Sequence, residues 1–515
     1  MLLRHSRLFP FYFPPPVHAG CSRLIFKATV FIVTDALRTV ETAGYRYRKK
    51  ERVNMKKIKY IYPALIQHNH TMAIHLTEQQ ILKLAPDEAS VKAGKGLAVP
   101  SKWVLRQYSE RALWGHCQGS GSTPYQTQID LHDLAFECSC PSRKFPCKHE
   151  LGLLLLYANR PDDFTQAEEP EWVSAWLTKR KEKAEKKEAR EKEKAEAPVD
   201  EAAQAKRLAA RHKKVAGGVD DLQTWLKDLL RTGLLNVPDR AHALFDGLAK
   251  RMVDAQAPGL AAQVRRLQEI DYYSDTWKYE LTDRLAKLYL LAESYKHLDR
   301  QSAEWQQEIK SLIGFNRSKE EILSGESVSD DWLVLASESK EQDRLTAWYY
   351  WLYGKTSNRY ALLMEFVAPG NLPEYNLVPG TAVTAEVCFY PGILPLRVLF
   401  KQYRLADSPF VPPFLPGIRA AMACYRENLR TDPFLYEVPV LVSGLRLVPE
   451  GNGWLVTDAE GNGMPVILDE ASRIQVLAIC GGGTFSAFVS AGARSWRLRA
   501  IWHLTDFHLL DHESD

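Results

Sequence analysis

The sequence has no apolar run of the ~18 residues that a membrane-spanning helix needs, so nothing in it points to a bilayer. Cysteine is scarce: Cys21, Cys117, Cys138, Cys140, Cys147, Cys388, Cys424 and Cys480 are the whole supply in 515 residues. A disulfide scaffold needs dense, distributed cysteines in a small secreted chain. Here three fall within ten residues and the others are scattered, which suits a reducing, cytoplasmic setting with one metal cluster. Bulk charge of either sign is also lacking. Up to Thr71 there are 13 Lys and Arg against 3 Asp and Glu, and the rest of the chain carries 54 against 60. A mildly acidic body does not advertise bulk nucleic-acid binding, so any such contact has to use a local basic patch.

Catalytic signatures are missing too. Gly354-Lys355-Thr356 has the end of a phosphate loop, but Tyr349 and Tyr350 stand where its first glycine belongs. His149-Glu150 opens like a metalloprotease motif, yet Leu153 occupies the second histidine position. Gly481-Gly482-Gly483 with Ser486 is not a nucleophile elbow and reads as a tight turn. No zinc-deaminase set is present. The chain reads as a binding protein, not an enzyme.

What is there is organised in segments. Residues 1–71 read as a basic extension. Pro14, Pro15 and Pro16 break the apolar stretch that a signal peptide would need, and a functional start at Met55 or Met72 is expected. Regular sequence opens after Met72, where Thr77 and Gln80 have capping-box spacing ahead of Ile81, Leu82 and Leu84. Residues 72–165 hold the cysteine cluster. Within the charged helical linker 166–218, Lys179 to Glu196 is built only of Lys, Arg, Glu and Ala. It has no apolar face to pack, so a solvated helix or spacer is expected. Residues 219–368 follow helical periodicity, as in Leu222, Trp225, Leu226, Leu229 and Leu230, and predict a bundle or an α-solenoid. The aromatic run Trp348 to Tyr353 is expected in a buried helix there. Residues 369–515 read as β-rich. Val383, Ala385, Val387 and Phe389 alternate with polar neighbours, Gly451-Asn452-Gly453 and Gly461-Asn462-Gly463 signal turns, and a helix is expected near Ile418 to Arg430. The expected fold is therefore α+β and multidomain: a small zinc-bound ββα module, a helical middle and a β-rich end.

The chemistry lies in Cys138-x-Cys140 and Cys147-x-His149, six residues apart. In a strand, residues i and i+2 share a face, so Cys138 and Cys140 offer two thiolates at one strand end. In a helix that spacing puts side chains about 200° apart. Cys147 is therefore expected just before a helix and His149 in its first turn, with the helix running to Asn159-Arg160-Pro161. Three thiolates and one imidazole match a closed, structural, tetrahedral Zn2+ site. Arg143, Lys144 and Lys148 can offset its negative charge. Cys117, beside His116, is either a further ligand or an unbound loop residue.

The C-x-C-x(n)-C-x-H pattern, with a strand before it and an apolar helix after, resembles the SWIM-type zinc finger. The flanks agree: Trp114-Gly115, Gly119-Ser120-Gly121, Pro124-Tyr125 and a polar-alternating strand from Gln126 to Leu131. The stretch CPSRKFPCKH is particularly similar to that of bacterial stand-alone SWIM proteins. The resemblance is specific over about residues 103–160. It implies protein–protein contacts, DNA contacts, or both. For stand-alone members it implies AAA-type ATPase and von Willebrand A-type partners.

The leading expectation is thus a cytoplasmic zinc-binding adaptor. The alternative is a DNA-binding protein reading phosphates with Arg143, Lys144, Lys148, Arg106 and Arg111. Most of the nearby aromatics (Trp103, Tyr108, Trp114, Tyr125, Phe145) are expected to build the small core around the metal, with one left exposed to stack on a base.

Overall fold

The computed structural model describes residues 76–510, apart from 120, 197–200, 343–344, 369–370, 372 and 452. The expected basic extension and its alternative starts lie outside the described residues. Thr77 closes the expected capping box at helix α1 (Glu78–Leu82), its hydroxyl accepting from Gln80 N–H at 3.3 Å. Helix α2 (Glu88–Leu97) follows. Strands β1 (Trp103–Tyr108), β2 (Ala112–Cys117), β3 (Tyr125–Asp130) and β4 (Ala135–Cys138) form an antiparallel meander. The two-residue β5 (Thr165–Gln166) adds parallel to β1, giving the order β4-β3-β2-β1-β5. Helix α3 (Lys148–Asn159) is buried from His149 to Tyr157. Its leucines meet Trp103, Leu113, Ile129 and Phe136 of the sheet in one core with Ile81. The module is thus larger than the expected ββα unit.

The charged linker is only partly solvated. It begins with helix α4 (Glu171–Glu196), whose Val173, Trp176 and Leu177 cover Ala112 and Trp114. These apolar residues precede the Lys/Glu/Arg/Ala stretch, and they anchor it. Arg180 then reaches back to Asp130 and Asp133, the latter at 2.8 Å.

Helices α5 (Glu201–Thr232), α6 (Ala241–Asp254), α7 (Pro258–Arg265), α8 (Trp277–Lys296) and α9 (Ala303–Ile313) form the helical middle. Leu222, Leu226, Phe245, Leu248, Leu260, Leu281, Leu285 and Ile309 share its core. Helices α7 and α9 approach closely at Gly259, where a Cβ would lie 2.2 Å from Leu312 O and 2.7 Å from Ile313 C. Backbone atoms cannot move aside as a flexible side chain can. Gly259→Ala should therefore destabilise this bundle by about 1–3 kcal/mol, read as a lowered midpoint in urea unfolding with an unchanged slope.

The helical segment does not run to residue 368 as expected. It ends with α10 (Lys319–Leu323). Strands β6 (Ser327–Gln342), β7 (Leu345–Gly354), β8 (Tyr360–Val367), β9 (Ala382–Phe389) and β10 (Arg397–Leu405) close a barrel in the order β10-β8-β7-β6-β9. The aromatic run expected in a helix is strand β7. Its Tyr350 and Leu352 are buried in the barrel core, whereas Tyr353 packs with Leu441, Phe488 and Trp502 of the following domain. Both faces of β7 are covered, so both are apolar and no period of two survives in the sequence.

A second ring follows. Strand β11 (Leu415–Pro416) and helix α11 (Gly417–Thr431), the helix expected here, lead into β12 (Val438–Glu450), β13 (Gly453–Thr457) and β14 (Gly463–Ile467). Helix α12 (Glu470–Cys480) then precedes β15 (Phe485–Ala491), β16 (Trp496–His503) and β17 (Asp506–Leu509). Strand β14 pairs parallel to β16, and β12 pairs antiparallel to β15, closing five strands. In both rings the first three strands form a meander, the third pairs in parallel with the fifth, and the fourth returns to the first. This is the Greek-key connection order of OB-fold barrels. The chain therefore ends in two barrels of one topology, a repeat that its sequence does not display.

Polar side chains lock the barrels together. Arg499 of β16 is 6% exposed and donates to Glu338 of β6 at 2.9 Å and to Ser490 at 2.6 Å. The first barrel also holds the cysteine module. Asn376 donates to Leu134 O at 3.1 Å, and Leu405 N–H to His132 O at 2.7 Å. Val378, in the β8–β9 connection, enters the module's core. No helix of the described residues is long and apolar enough to cross a membrane.

Candidate metal centre

The donor atoms of Cys138, Cys140, Cys147 and His149 all lie within 4.8 Å of one another. Local structure explains the convergence. Cys138 ends β4, paired with Thr127 of β3, and Cys140 follows two residues on. Cys147 is the N-cap of α3 with extended backbone (φ −77°, ψ 168°), and His149 sits in the first turn. This is the arrangement expected from the i, i+2 spacing. The His149 Nδ1 lies 3.7 Å from Cys138 Sγ and 3.8 Å from Cys147 Sγ. Cys147 and His149 are buried, and Cys138 and Cys140 are half-buried. The four can hold a metal ion.

Several groups set the donors without joining them. Thr127 Oγ1 lies 3.3 Å from Cys138 Sγ. The His149 ring lies against Tyr125, centroids 4.9 Å apart. Glu150 accepts the Cys147 N–H and completes a capping box at the start of α3. Burial pushes the Glu150 carboxyl up to about 7, against that N–H. The Glu150 that suggested a metalloprotease is therefore a helix-capping group. From sequence, Glu150 carries only a rejected metalloprotease resemblance and Thr127 carries no role. An acid three residues after the cap position is the signal that finds Glu150. Thr127 lies in another strand and has no sequence signal.

The thiols compete when they share no cation. The hydrogen bond from Cys147 holds Cys138 low, against burial, with help from His149 and Thr127. Cys147 is driven up, first by that same bond and then by burial and Glu150. Burial raises Cys140. One thiolate is favoured where a metal would need three, and a divalent cation held there would supply the missing compensation. Cys117 stands apart. It is fully buried at the end of β2, and burial pushes its thiol up to about 11. It is not among the converging donors.

The cations near the centre divide into two groups. Lys144 pairs with Asp87 at 2.7 Å. Arg106 donates to Pro100 O and Asp163 O at 2.6 and 3.0 Å, and Arg111 pairs with Asp130 at 3.3 Å. Arg143 and Lys148 are exposed and make no ion pair among the described residues. Trp103 and Trp114 are buried in the cores of this module, and Tyr108, Tyr125 and Phe145 are half-buried beside them. These aromatics build the core, as expected for most of them, and none of them is exposed.

The other motifs resolve locally. Asp330 accepts from Thr356 N–H at 3.0 Å and Ser357 N–H at 2.7 Å. The loop after Gly354 thus spends its donors on the protein's own carboxylate, not on a phosphate. Gly481 and Gly482 both have positive φ after α12, the tight turn expected there.

Two solved structures are distantly similar to part of the chain. One is described as "Structural mimicry for functional antagonism", at 9% identity, covering 34% of this chain and 92% of that chain with TM-score 0.16. The other is described as "Molecular basis for abrogation of activation of pro-inflammatory cytokines", at 11% identity over 34% of this chain and 92% of that chain, also with TM-score 0.16. Scores this low carry no argument about fold or function. No curated protein matches the chain. Residues 210–313, which include most of α5 and all of α6 to α9, match the family described as the SWIM-associated four-helix bundle domain. That match suggests a SWIM-family protein, on residues that do not include the Cys/His cluster.

Proposed function

We propose that this chain is a zinc-stabilised SWIM-type adaptor, and that the Cys138/Cys140/Cys147/His149 cluster holds one structural Zn2+. The observation that carries the reading is the closed donor set. Around a four-coordinate zinc, thiolate and imidazole bond lengths place S and N about 3.6 Å apart, and the two S···Nδ1 separations are 3.7 and 3.8 Å. Four protein donors leave no position for water or substrate, so the metal braces a surface instead of doing chemistry. The match over 210–313 supports the family, and the finger's docking on the first barrel supports a rigid multi-module scaffold. The partner class we propose is protein, with an AAA-type ATPase or a von Willebrand A-type protein as the first to test.

Crosslinking of the tagged full chain in its native cells, followed by purification, should recover one such partner at near-stoichiometric yield. A chain with Cys147→Ser should recover several-fold less. Recovery of no protein partner by the zinc-loaded chain would sink the adaptor reading.

A DNA-reading finger is the second reading, supported by the exposed, unpaired Arg143 and Lys148. It is weakened because Lys144, Arg106 and Arg111 are already engaged.

A further inference from the structure

Among the described residues, a concentration of unpaired charge lies apart from the Cys/His cluster, on helix α5. From Ala202 to Val219 this helix contains no acidic residue. Lys206, Arg207, Lys213 and Lys214 are exposed, and none makes a side-chain ion pair or hydrogen bond among the described residues. At 100° per residue these four fall within an arc of about 120°. Val215, Val219 and Leu222, on the opposite side, enter the bundle core. The stripe therefore faces away from the bundle. Ala210 and Gly217 lie within it, and a Cβ on Gly217 would meet nothing within 4 Å.

A run of cations on a surface helix is most often a solvated face, and α4 illustrates that case. There Glu182 and Glu185 interrupt the lysines, and Lys181 pairs with Glu185 at 3.9 Å. Between Ala202 and Val219 of α5 no acidic residue plays that part. Arg207 and Arg211 repel each other at i, i+4, and Lys310 of α9 adds positive charge nearby: after burial, it and Arg211 push His212 down. The free chain thus holds a positive field over residues 206–214, bounded at its C-terminal end by the exposed Asp221 and by Asp220, which pairs with Lys296 at 2.9 Å.

We propose that this face of α5 is a contact surface for the phosphate backbone of double-stranded nucleic acid, with Lys206, Arg207, Lys213 and Lys214 as its phosphate ligands. The two pairs stand about 10 Å apart along the helix axis, so long side chains reach successive phosphates. A protein partner would want an apolar or aromatic centre to the patch, and Ala210 and Gly217 provide none. Phosphates ask only for cations. This surface is independent of the adaptor reading and of the metal.

The test uses the zinc-loaded full chain and a 20-base-pair duplex of arbitrary sequence across a salt series. Four phosphate contacts give a log–log salt slope of about −3 to −4, and roughly 100-fold weaker binding at 200 than at 50 mM salt. Lys206→Gln/Arg207→Gln/Lys213→Gln/Lys214→Gln should flatten that slope by about 3 and weaken binding at least 30-fold. Zinc content and the circular dichroism spectrum should not change, because all four residues are exposed. Lys181→Gln/Lys183→Gln should bind like the parent. Equal affinity and slope in the fourfold variant would overturn the proposal. So would loss of binding only in Arg143→Gln/Lys148→Gln, which would move the contact to the finger. Binding of poly-glutamate but not of the duplex would identify an acidic protein as the occupant and overturn it as well.

Discussion

Cys147→Ser is expected to abolish metal retention and unfold the finger module, while the helical bundle and both barrels stay folded. The residues between β4 and α3 form no regular element, and Cys147 is at once a donor and the N-cap of α3. With the metal present, three thiolates and an imidazole tie that segment to the strand end. Without it, the hydrogen bond from Cys147 to Cys138, then burial and the nearby negative charge of Glu150 and Cys138, keep the Cys147 thiol protonated while Cys138 ionises. Structural zinc contributes about 10–16 kcal/mol in small finger peptides at neutral pH. This module also has an apolar core of its own, so the net loss should be several kcal/mol. Zinc measured by mass spectrometry should fall from about one ion per chain to under a tenth. The module's unfolding midpoint should fall by roughly 10 °C or more. A chelator at neutral pH should reproduce both effects, and zinc should reverse the chelator but not the substitution. A variant with full zinc content and an unchanged midpoint would remove the metal centre as described.

The second large effect is expected at Glu338 and Arg499, which join the two barrels. Arg499 is almost fully buried, and Glu338 faces it at 2.9 Å. Glu338→Ala removes the nearer of two carboxylates facing a buried guanidinium and leaves Glu437 at 3.8 Å and Ser490 Oγ at 2.6 Å, so its cost should fall at the lower end of the about 3–5 kcal/mol for breaking a buried pair. Arg499→Met should cost less, because Glu338 is 25% exposed and can take up a proton. The pair replaced together by Met should cost less than the two single changes summed, with a coupling energy of about 1 kcal/mol or more. Strictly additive costs would refute the pairing. The acid dependence follows from the direction of the Glu338 shift. Burial pushes its carboxyl up, but Arg499, with Lys340 and Arg497, holds it below the usual range. Its contribution is therefore full above the unfolded value of about 4.3 and is lost as pH falls through the lower folded value. Glu338→Gln should flatten the loss of stability below about pH 4, measured by urea unfolding at stepped pH.

The converging Cys/His cluster was legible because its chemistry is local. Cys138, Cys140, Cys147 and His149 lie within twelve residues, and strand and helix periods alone set which of them face one another. The same holds for the Thr77–Gln80 capping box, for α11, and for the turns at Gly451 and Gly461. Each depends on residues within one or two turns of chain. The expected set of cations was less legible. Lys144 and Arg111 are consumed by Asp87 and Asp130, from other elements, and no spacing rule announces such partners.

The middle of the chain misleads where burial is two-sided. Helical periodicity holds for Leu222, Trp225, Leu226 and Leu229, since that helix has a wet face, although Leu230 of the same predicted stripe is exposed. It fails at Trp348 to Tyr353, since barrel interior and neighbouring barrel cover opposite sides of the strand and leave no polar alternation. The barrel closures depend on pairings such as Val398 with Leu363 and Val466 with Trp496, between residues far apart in the chain. What the sequence by itself determined is the donor set, the helices with one solvated face and the turns. Tertiary structure alone decided that two segments close into barrels of one topology, that the finger docks on the first of them, and which cations are left unpaired. The physical reason is range. Period and capping act over a few residues, whereas strand closure, docking and charge pairing are settled by whichever distant groups the folded chain brings within a few ångströms.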